Sequence, residues 1–130
     1  LKLINKYKVP VVIQKFIGNV KNGDKRVILL NGNPEGIINR IPPKGHFKAN
    51  LHLGGRAEAT AVSDKEKQIC NSLKKILINE KLFFVGIDLI NETLTEINVT
   101  SPTGIVQIKE LCGTNIAKKI WDKLIAMNHF

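Results

Sequence analysis

The chain of 130 residues is 43% hydrophobic and 24% charged, with 20 Lys and Arg against 11 Asp and Glu and a formal net charge of +9. That length suits one domain with its own core, and so apolar a mixture is wrong for a disordered chain. No stretch approaches the roughly 20 apolar residues of a membrane span, and the 10 Gly and 5 Pro exclude collagen-like or low-complexity architectures. Leu1 stands where an initiator Met would be and no signal peptide follows it, so the expectation is a chain processed or cut from something longer.

In chain order, residues 9–16 form a short apolar run interrupted by Pro10 and are predicted as a strand. Lys21-Asn22-Gly23-Asp24 is turn chemistry. Residues 25–30 are β-prone, Asn31-Gly32 signals a hairpin, and residues 36–41 return as a second strand. Residues 42–55 hold two prolines and three glycines with little periodicity, and are predicted as a long loop of the kind that serves as a lid or binding loop. Ser63 and Glu66 have the spacing of a capping box, opening a helix with Ile69, Leu73, Ile76 and Leu77 on its buried stripe. Residues 82–90 read as a buried strand and 93–99 as its return, around a turn at Asn91 and Glu92. A short helix follows Gly104 and stops at Gly113, and a last helix from Asn115 is expected to bury Ile116, Ile120, Trp121 and Leu124. Elements in this order predict a single α+β domain with helices packed on an antiparallel sheet.

The excess of positive charge attracts anions of some kind: nucleic acid, acidic membrane or a phosphorylated small molecule. Most of the lysines read as solvated positions, and the few scattered aromatics do not interleave with them as in nucleic-acid binding modules. Cys70 and Cys112 lie far apart within apolar helical patterns, with no zinc spacing, and are expected to be reduced, buried thiols. The histidines form no metal-ligand spacing, and no Ser/His/Asp or Cys/His arrangement is visible.

The informative feature is the hairpin around Asp88. If its connection counts three residues, Asn91, Glu92 and Thr93, then Asp88 stands opposite Glu96 and Gly86 opposite Asn98. Strand alternation then sends Val85, Ile87, Leu89, Ile97 and Val99 to a core face and gathers Asp88, Glu96 and Asn98 on the other. A two-residue turn would separate Asp88 from Glu96. Two carboxylates directly across a ladder repel, so relief of that repulsion is expected to stabilise a variant lacking one of them slightly. A hard divalent cation neutralises such a pair, since carboxylate and amide oxygens suit Mg²⁺ completed by substrate phosphates and water. The alternative is a solvated acidic edge, or a carboxylate held by a lysine.

A cationic group lies nearby. Asp24, Lys25 and Arg26 open one strand, Arg40 closes its partner, and Lys44, Lys48 and Arg56 sit in or beside the long loop. A three-residue connection at 31–33 would put Arg26 and Arg40 on one sheet face, where guanidinium forks suit bidentate capture of phosphate or carboxylate. Such a set can catalyse phosphoryl transfer by positioning and charge neutralisation without a protein nucleophile. No Gly-rich phosphate loop of Walker type occurs.

Four segments, KNGDKR (21–26), NRIPPKGHFKANLHLGGRAEA (39–59), LFFVGIDLI (82–90) and LTEINVTSPTG (94–104), together resemble bacterial glutathione synthetase, an ATP-grasp ligase, in the same order and almost end to end. The resemblance implies the C-terminal lobe of an ATP-grasp fold, from an enzyme that joins γ-glutamylcysteine to glycine using ATP and Mg²⁺ or Mn²⁺, through an acyl phosphate. It implies Asp88, Glu96 and Asn98 as metal ligands, with Asn98 also at the nucleotide. Gln14, Lys15, Phe16 and Ile17 would line the adenine, and Asp24 would contact the ribose. Arg26, Arg40 and Arg56 would be catalytic. Arg40, Lys48, Asn50, Ser101, Pro102 and Thr103 would bind substrate, and residues 41–56 would form a lid that excludes water. Lys48 stands where the family commonly has Arg.

Family members of this kind are more than twice as long, so the resemblance further implies that an N-terminal substrate domain and a first ATP-grasp lobe are absent, and that residues 1–130 alone are inactive. A cytoplasmic, homo-oligomeric whole protein with small-molecule partners, and neither nucleic acid nor membrane, goes with that reading. The alternatives are another ATP-grasp carboxylate–amine ligase, against which the whole EINVTSPTG stretch argues, and a basic nucleic-acid-binding module, which leaves the Asp88 face without purpose.

Overall fold

The structure is a computed structural model, and it describes residues 6, 8, 10–46 and 54–127. A 3-10 turn (Gly18–Asn22) precedes β1 (Asp24–Leu30) and β2 (Asn33–Ile41); then come β3 (Arg56–Ala59), α1 (Asp64–Asn79), β4 (Phe84–Ile90), β5 (Thr93–Asn98), α2 (Ile105–Cys112) and α3 (Ile116–Met127). The strands form one antiparallel sheet in the order β3-β2-β1-β4-β5. This is the α+β architecture expected from the sequence. β3 was not foreseen, because its four residues, RAEA, carry no alternation of large apolar side chains.

The central strand β1 is buried on both faces from Val27 to Leu30, as its continuous apolar run requires. On one face, Val27, Leu29, Ile37, Val85, Ile87 and Leu89 pack against Cys70 and Leu77 of α1. On the other, Ile28, Leu30 and Ile38 pack against Ile108 of α2 and Ile116 of α3. Gly36 lets those helices approach: a Cβ there would lie 2.8 Å from Ile108 Cγ2 and 2.9 Å from Ile116 Cδ1. The C-terminal helices cover only the half of this face nearest the β1–β2 turn.

Helix α1 opens with the expected capping box: Ser63 Oγ accepts from the Glu66 amide at 3.3 Å, and the Ser63 amide donates to Glu66 Oε2 at 2.8 Å. Its deepest stripe is Glu66, Cys70 and Leu77, with Leu73 and Ile69 beside it. Ile76 lies off that stripe and is 57% exposed, contrary to expectation. In α3, Ile116 is buried and Ile120 packs behind it, but Trp121, one step round the helix, is 67% exposed. Cys112, at the last turn of α2, is exposed, so only Cys70 is the buried thiol expected.

Both hairpins turn on two residues, not three. Asn31 and Gly32, and likewise Asn91 and Glu92, adopt positive φ, the geometry of a two-residue hairpin turn that matches strand twist. Each return strand then carries a bulge. Leu29 faces Pro34 and Ile28 faces Gly36, leaving Glu35 as the extra residue; Leu89 faces Leu94 and Asp88 faces Glu96, leaving Thr95. Turn plus bulge restores the parity of a three-residue connection, so the expected face assignments hold for a different reason. Residues 10–17 are not the predicted strand; they are irregular, make no ladder, and expose Val12, Ile13 and Phe16. Ile97 and Val99, expected in the core, are exposed because β5 is the edge strand. The middle of the expected lid, with Lys48 and Asn50, lies outside the described residues.

Candidate functional site

Beyond the edge of the C-terminal helices, the α2/α3 face of the sheet turns polar. The registers Asp24↔Arg40, Arg26↔Asp88, Asp88↔Glu96 and Gly86↔Asn98 set these side chains across four adjacent strands on that face. Arg26 grips Asp88 bidentately: Nε donates to Oδ1 at 2.5 Å and Nη2 to Oδ2 at 2.9 Å. Arg40 reaches the same carboxylate, its Nη2 lying 2.8 Å from Asp88 Oδ2, and also donates to Asp24 Oδ1. Two guanidiniums and two carboxylates thus form a chain, with Asp88 at its centre. Arg26 is 4% exposed and Asp88 6%. Neither the solvated edge nor the lysine-held carboxylate describes this geometry.

Burial pushes the Asp24 carboxyl above its ordinary value, with the Asp88 charge adding to it, and outweighs the pull of Arg40. At Arg40, burial disfavours the charge, but Asp88 and Asp24 on either side more than reverse that and hold the proton more tightly than usual. The Asp24–Arg40 end is therefore electrostatically taut.

The turn after β5 roofs this cluster. Pro102 is buried over Gly86, where a Cβ would meet Pro102 Cβ at 2.7 Å and Arg26 Cδ and Nη1 at 3.3 Å. Arg26 Nη1 donates to the Thr103 carbonyl oxygen at 3.3 Å. Gly104 takes φ of 108° where the chain closes on Arg26 and Ile38 before entering α2. Of the residues expected to meet substrate here, Pro102 is packed inward, whereas Ser101 and Thr103 present exposed side chains.

Opposite Asp88, Glu96 is exposed and makes no ion pair among the described residues. Asn98 is half-buried, and its Oδ1 accepts from the Ser101 amide at 3.3 Å. Thr95 donates its hydroxyl to the Asp88 carbonyl oxygen at 3.0 Å, pinning the bulge that keeps Glu96 on this face. Among the described residues no three His, Cys, Asp or Glu side chains converge as a metal nest. The donors here are two carboxylates and a carboxamide, hard oxygen ligands of the type that suits Mg²⁺ or Mn²⁺ when phosphate and water complete the shell. They fit such an ion by type and by face, with Asp88 drawn toward its arginines.

A second feature borders the sheet edge. Gln14, Lys15, Phe16 and Ile17 line a pocket of about 420 Å³ together with Thr93, Leu94 and Thr95. The latter three were not expected at this pocket; Leu94, two residues before Glu96, is the apolar one among them and also packs against the core on the α1 face. Other expected members are elsewhere. Lys25, next to Arg26, points to the opposite face, where its Nζ donates to buried Glu66 at 2.9 Å. Arg56 pairs with Ile41 across β2–β3, also on that opposite face, and its Nε donates to Glu58 at 2.8 Å with the side chain 72% exposed. It is not brought together with Arg26 and Arg40. Among the described residues no helix is long and apolar enough to cross a membrane.

Comparison with known proteins gives a consistent picture. The family described as prokaryotic glutathione synthetase, ATP-grasp domain, matches residues 2–113. The glutathione synthetase of Prochlorococcus marinus subsp. pastoris is 53% identical over 118 residues, 91% of this chain and 38% of that protein. Those of Bradyrhizobium diazoefficiens and Parasynechococcus marenigrum are 48% and 47% identical, over 91% and 90% of this chain and 38% of each relative. The chain therefore spans little more than a third of the length of these relatives.

Proposed function

The chain belongs to the prokaryotic glutathione synthetase ATP-grasp family, and from that membership we propose that it is the C-terminal lobe of a ligase joining γ-glutamylcysteine to glycine using ATP. In that reaction the substrate carboxylate attacks the γ-phosphorus, ADP departs, and glycine's amine displaces phosphate from the resulting acyl phosphate. The observation that supports this reading best is the shared face of Asp88, Glu96 and Asn98 with Arg26 and Arg40 between them and Asp24.

Asp88, Glu96 and Asn98 are the residues that would hold Mg²⁺ or Mn²⁺, which when bound neutralises phosphate charge. Arg26 and Arg40, held in place by Asp88, Asp24 and the Thr103 carbonyl, present guanidinium forks to the transferring phosphate and the acyl phosphate. The pocket of Gln14–Ile17 and Thr93–Thr95 supports an adenine site of largely backbone character, and Asp24, whose carboxylate Arg40 holds, would contact the ribose. Ser101 and Thr103 are exposed toward the peptide substrate or glycine, with Pro102 fixing their turn. In this reading Lys48 and Asn50 act from the lid, whose closure keeps water from a readily hydrolysed acyl phosphate.

The whole protein is proposed to be a cytoplasmic homo-oligomer with small-molecule partners, its thiol substrate needing a reducing compartment. Catalysis also draws on an N-terminal substrate domain and a first ATP-grasp lobe beyond these 130 residues. The test is ligation by the complete enzyme carrying Asp88→Asn or Glu96→Gln. Both are expected to abolish product formation; full activity in either would count against the assignment. The 130-residue chain alone is expected to release no ADP in response to γ-glutamylcysteine and glycine.

A further inference from the structure

Both oxygens of the Asp88 carboxylate are already engaged, Oδ1 by Arg26 and Oδ2 by Arg26 and Arg40. A carboxylate so held has little electron density to offer a cation, and the two guanidiniums repel one that approaches. For Asp88 to become a ligand it must leave them. Among the described residues, Arg26, whose side chain is 5% exposed, would then keep only the Thr103 carbonyl, and Arg40, at 13%, only Asp24. A buried guanidinium stripped of its counter-charge is strongly unfavourable. Phosphate oxygens offer the same bidentate geometry as the carboxylate and can take over the arginines.

We infer that the Arg26–Asp88–Arg40 clamp makes divalent cation and phosphate binding at this face mutually dependent: phosphate draws the arginines off Asp88, and only then does Asp88 turn its oxygens to the cation. This rests on the proposed role of Asp88 as a cation ligand and adds a rule about order and coupling. Linkage makes the effect reciprocal, so the cation raises phosphate affinity by the same factor. The arginines that serve the phosphate thereby also guard the cation site against occupation by the metal alone.

The experiment titrates the 130-residue chain with Mn²⁺, following loss of the free-ion electron paramagnetic resonance signal. It is run with and without inorganic phosphate at constant ionic strength, with the protein-free phosphate titration subtracted. Phosphate is expected to tighten Mn²⁺ binding by about 5- to 150-fold, the range typical of coupled sites. Arg40→Gln, with its fold checked by circular dichroism, is expected to bind Mn²⁺ more tightly than the wild type when phosphate is absent, and to respond less to phosphate. Should that variant not fold, the wild-type comparison decides alone. Equal Mn²⁺ affinity with and without phosphate, lost in Asp88→Asn, would overturn the coupling while leaving Asp88 as a ligand. Affinity unchanged by Asp88→Asn in both conditions would overturn the ligand reading as well.

Discussion

The hairpins β1–β2 and β4–β5 are built by the same device. Each turns on two residues of positive φ, and each return strand inserts one extra residue, Glu35 in β2 and Thr95 in β5. Their surroundings differ. Glu35 is held by Lys119 and Lys123 of α3 at 2.8 and 3.1 Å, and the residues beyond it, Gly36 and Ile38, lie beneath α2 and α3. Thr95 is held by a single hydroxyl bond to the Asp88 carbonyl, and the residues beyond it, Glu96 and Asn98, face the polar half of the sheet on an edge strand. One bulge therefore sets the parity of a core and the other the parity of a site. The same backbone irregularity is braced by helix side chains in one place and by a neighbouring strand's backbone in the other.

Inserting an alanine directly after each bulge residue tests that contrast most severely, because a one-residue slip sends every later side chain of the strand to the other face. The insertion after Glu35 turns Ile38 out of the core and is expected to leave no cooperative unfolding transition by circular dichroism. The insertion after Thr95 is expected to leave a folded chain that no longer binds Mn²⁺, with the alanine opposite Asp88 and Glu96 turned to the other face. Equal damage from both would break the comparison.

Asp88→Asn is next in size. Against the expectation from sequence, where relief of carboxylate repulsion favours the variant, the loss of the anion shared by Arg26 and Arg40 should destabilise the chain by about 3–5 kcal/mol in urea denaturation. Unchanged stability would mean that the clamp contributes nothing to the fold. Gly86→Ala, pressing a methyl into Pro102 and Arg26, should cost about 1–3 kcal/mol, read from the same denaturation curves.

The smallest effects distinguish two carboxylates by pH. Asp24 has its folded value raised by burial, so its contribution is fully present below the unfolded value and is lost as pH rises through the folded one. Relative to Asp24→Asn, the wild type should gain stability as pH falls from neutrality toward 4. At Glu35, burial opposes ionisation but Lys119 and Lys123 more than offset it, lowering the value. Its contribution is present above the unfolded value and is lost as pH falls through the folded one, so relative to Glu35→Gln the wild type should weaken in acid. Thermal melts of the three chains across that range check both signs.

Local chemistry was legible in the sequence: the Ser63–Glu66 capping box, the Gly113 helix stop, the hairpin turns and the face shared by Asp88, Glu96 and Asn98. The bulges were not, because each is fixed by a contact outside the pattern of alternation, Glu35 with α3 and Thr95 with a neighbouring strand's backbone. Nor was the clamp, since Arg26 meets Asp88 only through the β1–β4 pairing of strands 62 residues apart in sequence. The irregular course of residues 10–17 escaped because an apolar run predicts a strand only where a ladder partner exists.

The most direct test of the proposed metal-binding face is Mn²⁺-induced broadening of backbone amide signals in the ¹⁵N-labelled chain with phosphate present. The account expects broadening centred on Asp88, Glu96 and Asn98, with the amides of α1, behind the sheet, broadened least. Broadening centred on α1, or spread evenly over the surface, would contradict it.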